Sequence, residues 1–200
     1  MLSERFEDAL QYACRLHQRQ RRKGTGVPYV AHLLSVAALV LEDGGDEDQA
    51  IAALLHDGPE DQGGQATLDD IRRRFGDGVA DIVAACSDTF EKPKPAWRPR
   101  KEAYLQHLQD APPEVLRVSL ADKLHNSRSI LRDLRTLGEP VWERFMGGRD
   151  GTLWYYHALV QIFQQRFSSP LVVELQQVVN EMTLLALAQP GPKSGDLPEA

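Results

Sequence analysis

The stretch of this 200-residue chain richest in chemistry is Leu54-Leu55-His56-Asp57-Gly58-Pro59-Glu60-Asp61. An apolar run ends in an imidazole and a carboxylate, Gly and Pro interrupt it, and two more acids follow. Successive side chains on a helix project about 100° apart, so His56 and Asp57 can share one ion only at a helix end, which Gly58-Pro59 would supply. Bringing charged groups to the end of a buried run is costly unless they find a partner, and a cation is the obvious one. His32 opens a second apolar run after Pro28-Tyr29-Val30-Ala31, and Asp122 lies inside Val118-Ser119-Leu120-Ala121-Asp122-Lys123-Leu124-His125-Asn126. His32, His56, Asp57 and Asp122 make a mixed imidazole and carboxylate set. Such a set suits Mn, Fe, Co, Ni or Zn better than Ca or Mg. On an octahedral ion, four protein ligands leave positions for a phosphate oxygen and for a water made nucleophilic near neutral pH. Glu60 and Asp61, just beyond the central pair, have the chemistry to hold that water and accept its proton. Each piece also has a plain reading: His32 as an ordinary helix-start histidine, Asp122 as the partner of Arg117 or Lys123, and Glu60-Asp61 as a solvated turn.

The substrate side has its own signals. Arg15, Arg19, Arg21, Arg22 and Lys23 concentrate positive charge before His32, and Lys92, Lys94, Arg98, Arg100 and Lys101 form a second group. Local clusters of this kind collect phosphate; solvated helix faces are the alternative. His125 and Asn126 follow Asp122 by three and four residues, hence on the same helix side. Asn126 can both donate and accept, as sugar recognition requires. Trp154-Tyr155-Tyr156 fits either core packing or stacking on a base.

The elements that must position these groups read as helices throughout. Phe6, Ala9, Leu10, Ala13, Cys14 and Leu16-His17 recur at three- and four-residue steps. The run 31–41 is apolar nearly all round, as expected of a central helix, and 49–55 repeats that character. Thr67 and Asp70 resemble a capping box ahead of Leu68, Ile71 and Phe75; Gly76 stops that helix, and Gly78 precedes the next. The prolines of 92–99 predict a loop, with helix resuming over 100–108. Pro112-Pro113 starts another helix, running past Asp122 to Leu134 before Gly138 and Pro140. Gly147 to Gly151 predicts a turn, followed by helices over 154–167 and 171–187. No alternating strand pattern, internal repeat, phosphate loop or GxSxG element is present.

Composition bounds the rest. The length suits one domain, expected over 1–188, with a disordered Pro- and Gly-rich tail over 189–200. With a formal net charge of -6 the molecule is not built to coat nucleic acid or an anionic membrane. Cys14 and Cys86, without CxxC spacing, read as small buried side chains. The N-terminus lacks signal-peptide features, and no apolar stretch reads as long enough to span a bilayer. A cytoplasmic protein is the expectation.

Read in order, the motifs resemble the HD-domain superfamily, His…His-Asp…Asp, and within it the hydrolase domain of RelA/SpoT proteins and small alarmone hydrolases. The elements are Arg22-Lys23 with Pro28-Tyr29-Val30-Ala31-His32, the stretch Ala52 to Asp61, Phe75 to Ala80, and Ala121 to Asn126. They run from Arg22 to Asn126, within about the first two-thirds of the chain. The resemblance implies an all-α, single compact HD-domain helical bundle. It implies His32, His56, Asp57 and Asp122 as metal ligands with Mn2+ as the usual ion, and Glu60 and Asp61 as the pair that activates water. It also implies Arg22, Lys23 and Asn126 as substrate contacts. The implied activity is hydrolysis of the 3′-pyrophosphate of the guanosine alarmones (p)ppGpp to GDP or GTP plus pyrophosphate. With no synthetase domain following, a stand-alone hydrolase acting on a small nucleotide is expected. Adenosine alarmones, other nucleotides, or a non-catalytic nucleotide-binding regulator are the alternatives. Two departures stand out: the loop Gly24-Thr25-Gly26-Val27 is one residue longer than the family pattern, and Gly58-Pro59 replaces its aliphatic pair.

Overall fold

The structure is a computed structural model that describes residues 2–90 and 93–188; Lys92 and the tail expected over 189–200 lie outside the described residues. Among these residues the chain is helical and holds no strand, in agreement with the all-α expectation. The helices are α1 (Glu4–Leu16), α2 (Val30–Glu42), α3 (Glu47–Leu55), α4 (Gly64–Phe75), α5 (Asp77–Cys86), α6 (Trp97–Asp110), α7 (Pro113–Leu137), α8 (Gly148–Arg166) and α9 (Pro170–Ala188). A short π-type turn, Pro59–Gly63, joins α3 to α4, and a 3-10 turn, Glu139–Arg144, follows α7.

α3 is the innermost element: Ala50, Ile51, Ala52, Ala53, Leu54 and Leu55 are all fully buried. A nine-residue helix this apolar is set by its start. Asp46 accepts the Gln49 N–H at 2.9 Å, and Glu47 and Asp48 sit in the first turn, where negative charge is favoured. α1 approaches α3 through Ala9 and Ala13, both fully buried. The 25-residue α7 runs alongside α2, α3, α5 and α9, so Asp122 near its middle faces the core. α2 is central on one side only, because Ala31, Leu34 and Ala38 are exposed.

Several boundaries differ from expectation. α4 begins at Gly64, so Thr67 is inside the helix and buried rather than capping it; Asp70 instead bonds Arg74 at 2.9 Å. Gly76 does end α4, at φ +92°, a conformation only glycine adopts freely. α6 starts at Trp97, and Pro99 sits in its first turn, where a missing N–H costs nothing. The glycines from Gly148 to Gly151 lie within α8 rather than forming a turn. Packing explains two of the glycines here, since a Cβ on Gly147 would lie 2.6 Å and one on Gly151 3.2 Å from the Trp97 ring, whereas Gly148 takes φ +57°. Cys14 is exposed and only Cys86 is buried; α1 buries the stripe through Ala9 and Ala13, and Cys14 projects past it. The expected absence of a bilayer-length apolar run is also corrected. By length and composition α9 could cross a membrane, with mean hydropathy 1.3 over its 18-residue window. It packs Leu175, Val179 and Met182 into the core against α7 and α8.

Candidate metal centre and substrate cavity

Three helices deliver the four candidate ligands. His32 lies in the first turn of α2, His56 and Asp57 directly follow α3, and Asp122 projects from α7. The Nε2 atom of His32 is 3.2 Å from Asp122 Oδ1 and 3.5 Å from Asp57 Oδ2. That of His56 is 3.1 Å from Asp57 Oδ2 and 3.6 Å from Asp122 Oδ1. Among the described residues neither Nε2 has a hydrogen-bond partner, although both are buried. Donor atoms that crowd together without bonding to one another point at a shared centre. Ligands bound at about 2.1 Å in octahedral geometry sit roughly 3.0 Å apart along each edge, close to these spacings. The residues therefore fit a divalent ion.

The surroundings fix the ligands in that role. His56 Nδ1–H donates to Ala53 O at 2.8 Å, which leaves the Nε2 lone pair for an ion. His32 Nδ1 pairs with His125 Nδ1 at 2.8 Å. Burial, then the neighbouring His32, lowers the His125 pKa to about 4, so that ring is neutral and has a tautomer whose Nδ1 accepts the His32 Nδ1–H. Tyr29 donates its hydroxyl to Asp57 Oδ2 at 2.6 Å. Asp122 accepts from Lys123 at 2.5 Å and from Asn126 at 2.6 Å. Asp122 thus pairs with Lys123, as its plain reading had it, and also faces both histidines; Arg117 bonds Asp43 instead.

Without an ion, burial opposes charge on His56, but Asp57 and then Asp122 outweigh it and push the imidazole well above its ordinary range. Burial likewise opposes ionisation of Asp57 and Asp122. The charges of His56 on the first and of Lys123 on the second outweigh it and hold both carboxyls well below theirs. A site that keeps two anions and attracts a proton is one a cation can occupy in the proton's place.

The acidic pair sits on the π-type turn, a wider turn often found at functional sites. Its two members differ. Glu60 has both oxygens engaged, one by Lys94 Nζ at 2.7 Å and one by the Asp88 N–H at 3.0 Å. Asp61 accepts from Gln20 at Oδ2, 2.7 Å away, and among the described residues its Oδ1 has no partner. Burial, then the charge of Asp57, raises the Asp61 pKa.

These groups border a cavity of about 790 Å³, lined also by Arg22, Lys23, Asn126, Trp97 and Tyr156. Arg22 donates to Asn126 Oδ1 at 2.8 Å and lies 5.7 Å from the Tyr29 ring centroid. Lys23 is exposed on the cavity wall. Of the first basic group, Arg21, Arg22 and Lys23 line the cavity; of the second, Lys94, Arg100 and Lys101 do. Arg98 instead stacks on Trp154, 3.3 Å from its ring centroid. Sequence reasoning quoted Tyr29 without a role and passed over Gln20 entirely. Gln20 follows α1 without any patterned neighbour, and only the fold brings it to Asp61.

The comparisons agree with this geometry. The family model of the HD domain matches residues 9–153. A Xenopus tropicalis protein named guanosine-3′,5′-bis(diphosphate) 3′-pyrophosphohydrolase MESH1 is 37% identical over 138 residues, 68% of this chain and 72% of that one. The Homo sapiens protein of the same name is 36% identical over 128 residues, covering 62% and 69%. A solved structure of a metazoan orthologue of SpoT, described as hydrolysing ppGpp, aligns with a TM-score of 0.74 at 27% identity, over 92% of this chain and 98% of that one. The match over most of the chain, with the His, His-Asp and Asp donors converging, shows that this chain belongs to the HD-domain family.

Proposed function

We propose that residues 1–188 form one metal-dependent hydrolase domain that removes the 3′-pyrophosphate of (p)ppGpp, giving GDP or GTP and pyrophosphate. The observation that carries the reading is the pair of buried, unpartnered Nε2 atoms of His32 and His56 set against Asp57 and Asp122, beside an acidic pair in an open cavity. The names of the relatives and of the structural neighbour support the choice of substrate. His32, His56, Asp57 and Asp122 hold the ion, which we assign as Mn2+. When bound, the ion supplies positive charge to a phosphate oxygen and lowers the pKa of a water. Asp61 accepts that water's proton at Oδ1, and Gln20 fixes the carboxylate through Oδ2. Glu60, held by Lys94, completes the pair and orients the turn. Arg22 and Lys23 meet phosphate charge, and Asn126, aligned by Arg22 and Asp122, offers its amide to the sugar. A cytoplasmic setting goes with this reading.

The test is a substrate panel. Purified protein with manganese is offered ppGpp, pppGpp, ppApp, dNTPs and cyclic dinucleotides, and released pyrophosphate is measured. Turnover of ppGpp and pppGpp is expected. Turnover confined to a non-alarmone would refute the proposal, and turnover of ppApp alone would move it to the adenosine series.

A further inference from the structure

α1 stops at His17, a residue with no part in the reaction above. Its backbone N–H closes the last helical turn on Ala13 O at 3.0 Å, and the residue is only 2% exposed. A polar ring held this deep is costly unless its polar atoms have work.

The ring has two neighbours, and each leads towards the metal centre by its own arm. It stacks on Tyr29, with centroids 5.2 Å apart and planes inclined by 18°, and the Tyr29 hydroxyl donates to Asp57. On the other side His17 Nδ1 lies 2.7 Å from Gln20 Oε1, and Gln20 Nε2 donates to Asp61 Oδ2. The main chain ties the arms together. The Gln20 N–H bonds His17 O, and the Tyr29 N–H bonds Gln20 O, both at 3.0 Å.

The contact with Gln20 is directional. A primary amide has one accepting end and one donating end, and only the donating end suits a carboxylate. Burial lowers the His17 pKa, so the ring is neutral and carries one N–H. On Nδ1, that hydrogen is donated to Gln20 Oε1, which turns Oε1 away from Asp61 and leaves Nε2 to meet it. His17 Nε2 is then a bare acceptor, and it has no partner among the described residues. On Nε2, the hydrogen would be a buried donor without an acceptor, and two acceptors would face each other at Nδ1 and Oε1. Gln62 also donates to Gln20 Oε1, but from an exposed position. His17 is the buried donor of the two, where a hydrogen bond is electrostatically stronger.

We propose that His17 is a positioning residue: its Nδ1–H fixes Gln20 with Nε2 towards Asp61, which holds the Asp61 carboxylate with Oδ1 turned to the attacking water. The proposal rests on the hydrolase reading above and extends it to a residue behind the cavity wall. His17 keeps its hydrogen throughout; the proton of the water goes to Asp61.

Two substitutions separate the bond from the packing. His17→Phe keeps a ring on Tyr29 and removes the N–H. His17→Asn removes the ring and sets an amide N–H where Nδ1 stood. In the manganese-loaded protein, His17→Phe is expected to lower kcat about 3- to 10-fold, with KM and manganese content within about twofold of the parent, and His17→Asn to restore kcat to within about twofold. On a Gln20→Leu background His17→Phe should cost nothing further, because the group it acts through is gone. A second measurement needs no substrate: side-chain amide NMR of protein loaded with diamagnetic zinc. The Gln20 amide proton bonded to Asp61 is expected to move upfield and exchange faster in His17→Phe, and to stay in place in His17→Asn. Parent kcat in His17→Phe overturns the proposal, as do equal losses in the two variants, additive losses with Gln20→Leu, or an unmoved Gln20 amide in His17→Phe. The two readings fail separately. A parent protein that releases no pyrophosphate from any alarmone removes the substrate assignment, and the Gln20 amide still decides the role of His17.

Discussion

Asp61→Asn and Glu60→Gln, compared side by side, test how the acidic pair divides its work. Asn is close in shape to Asp but cannot accept a proton at that position. Gln20 still reaches it, since the Gln20 amide donates to Oδ2 at 2.7 Å and the Asn carbonyl can take that bond. What is lost is the basic Oδ1, and a positioned general base contributes about 10²- to 10⁴-fold in rate. At 1.36 kcal/mol per tenfold, that is roughly 2.7 to 5.4 kcal/mol of barrier. Glu60 presents a different case because both of its oxygens are already bonded. Its Lys94 partner is 39% exposed, and pairs this open to solvent contribute about 1 kcal/mol at most. Glu60→Gln keeps the bond from the Asp88 N–H, so kcat should fall by about tenfold or less. Steady-state pyrophosphate release, with manganese content measured on each variant, separates the two. The reasoning is refuted if Glu60→Gln loses as much kcat as Asp61→Asn while retaining its metal. It is equally refuted if Asp61→Asn keeps parent activity.

The pH dependence of metal binding follows from His56. In the ion-free protein, burial opposes its charge but Asp57 and Asp122 raise its pKa well above the ordinary value. The ion needs the neutral ring, so manganese affinity should rise with pH across the neutral range, by up to about tenfold per pH unit, with one proton released per ion bound. Chelator competition at several pH values checks this, and a flat profile would contradict it. Gly147→Ala is expected to destabilise the protein although its backbone, at φ -80° and ψ -5°, accepts alanine. The added Cβ would lie 2.6 Å from the Trp97 ring, an overpacking worth about 1 to 3 kcal/mol, or roughly 2 to 12 °C in Tm for a chain of this size. Gly26→Ala, with nothing within 4 Å of the new Cβ, should leave Tm unchanged in the same thermal melt.

The candidate site was legible in the sequence to the extent that local chain geometry placed it. His56 and Asp57 had to share a helix end because the apolar run 50–55 closes α3 and Pro59 follows. Asp122, His125 and Asn126 had to share a side of α7 because three and four residues are one helical turn. Helix identities were legible for the same reason, through apolar residues at three- and four-residue steps. The starts of α4, α6 and α8 differ from the sequence pattern: Pro99 falls in the first turn of α6, and the glycines at the start of α8 serve tertiary packing. Gly147 and Gly151, which read as turn residues, instead make room for the Trp97 ring.

By itself, then, the sequence determined that this is a helical protein with histidines and carboxylates in an order that suits a metal, because periodicity and residue chemistry are properties of the chain. Only the tertiary structure decided what those residues can do together. It set His32 and His56 from different helices against the same two carboxylates at 3.1 to 3.6 Å. It brought Gln20 to Asp61 across 41 positions and tied Glu60 to Lys94. The physical reason is separation along the chain. Local pattern fixes which way a side chain leaves its own helix, whereas the donor it meets there depends on how the helices pack.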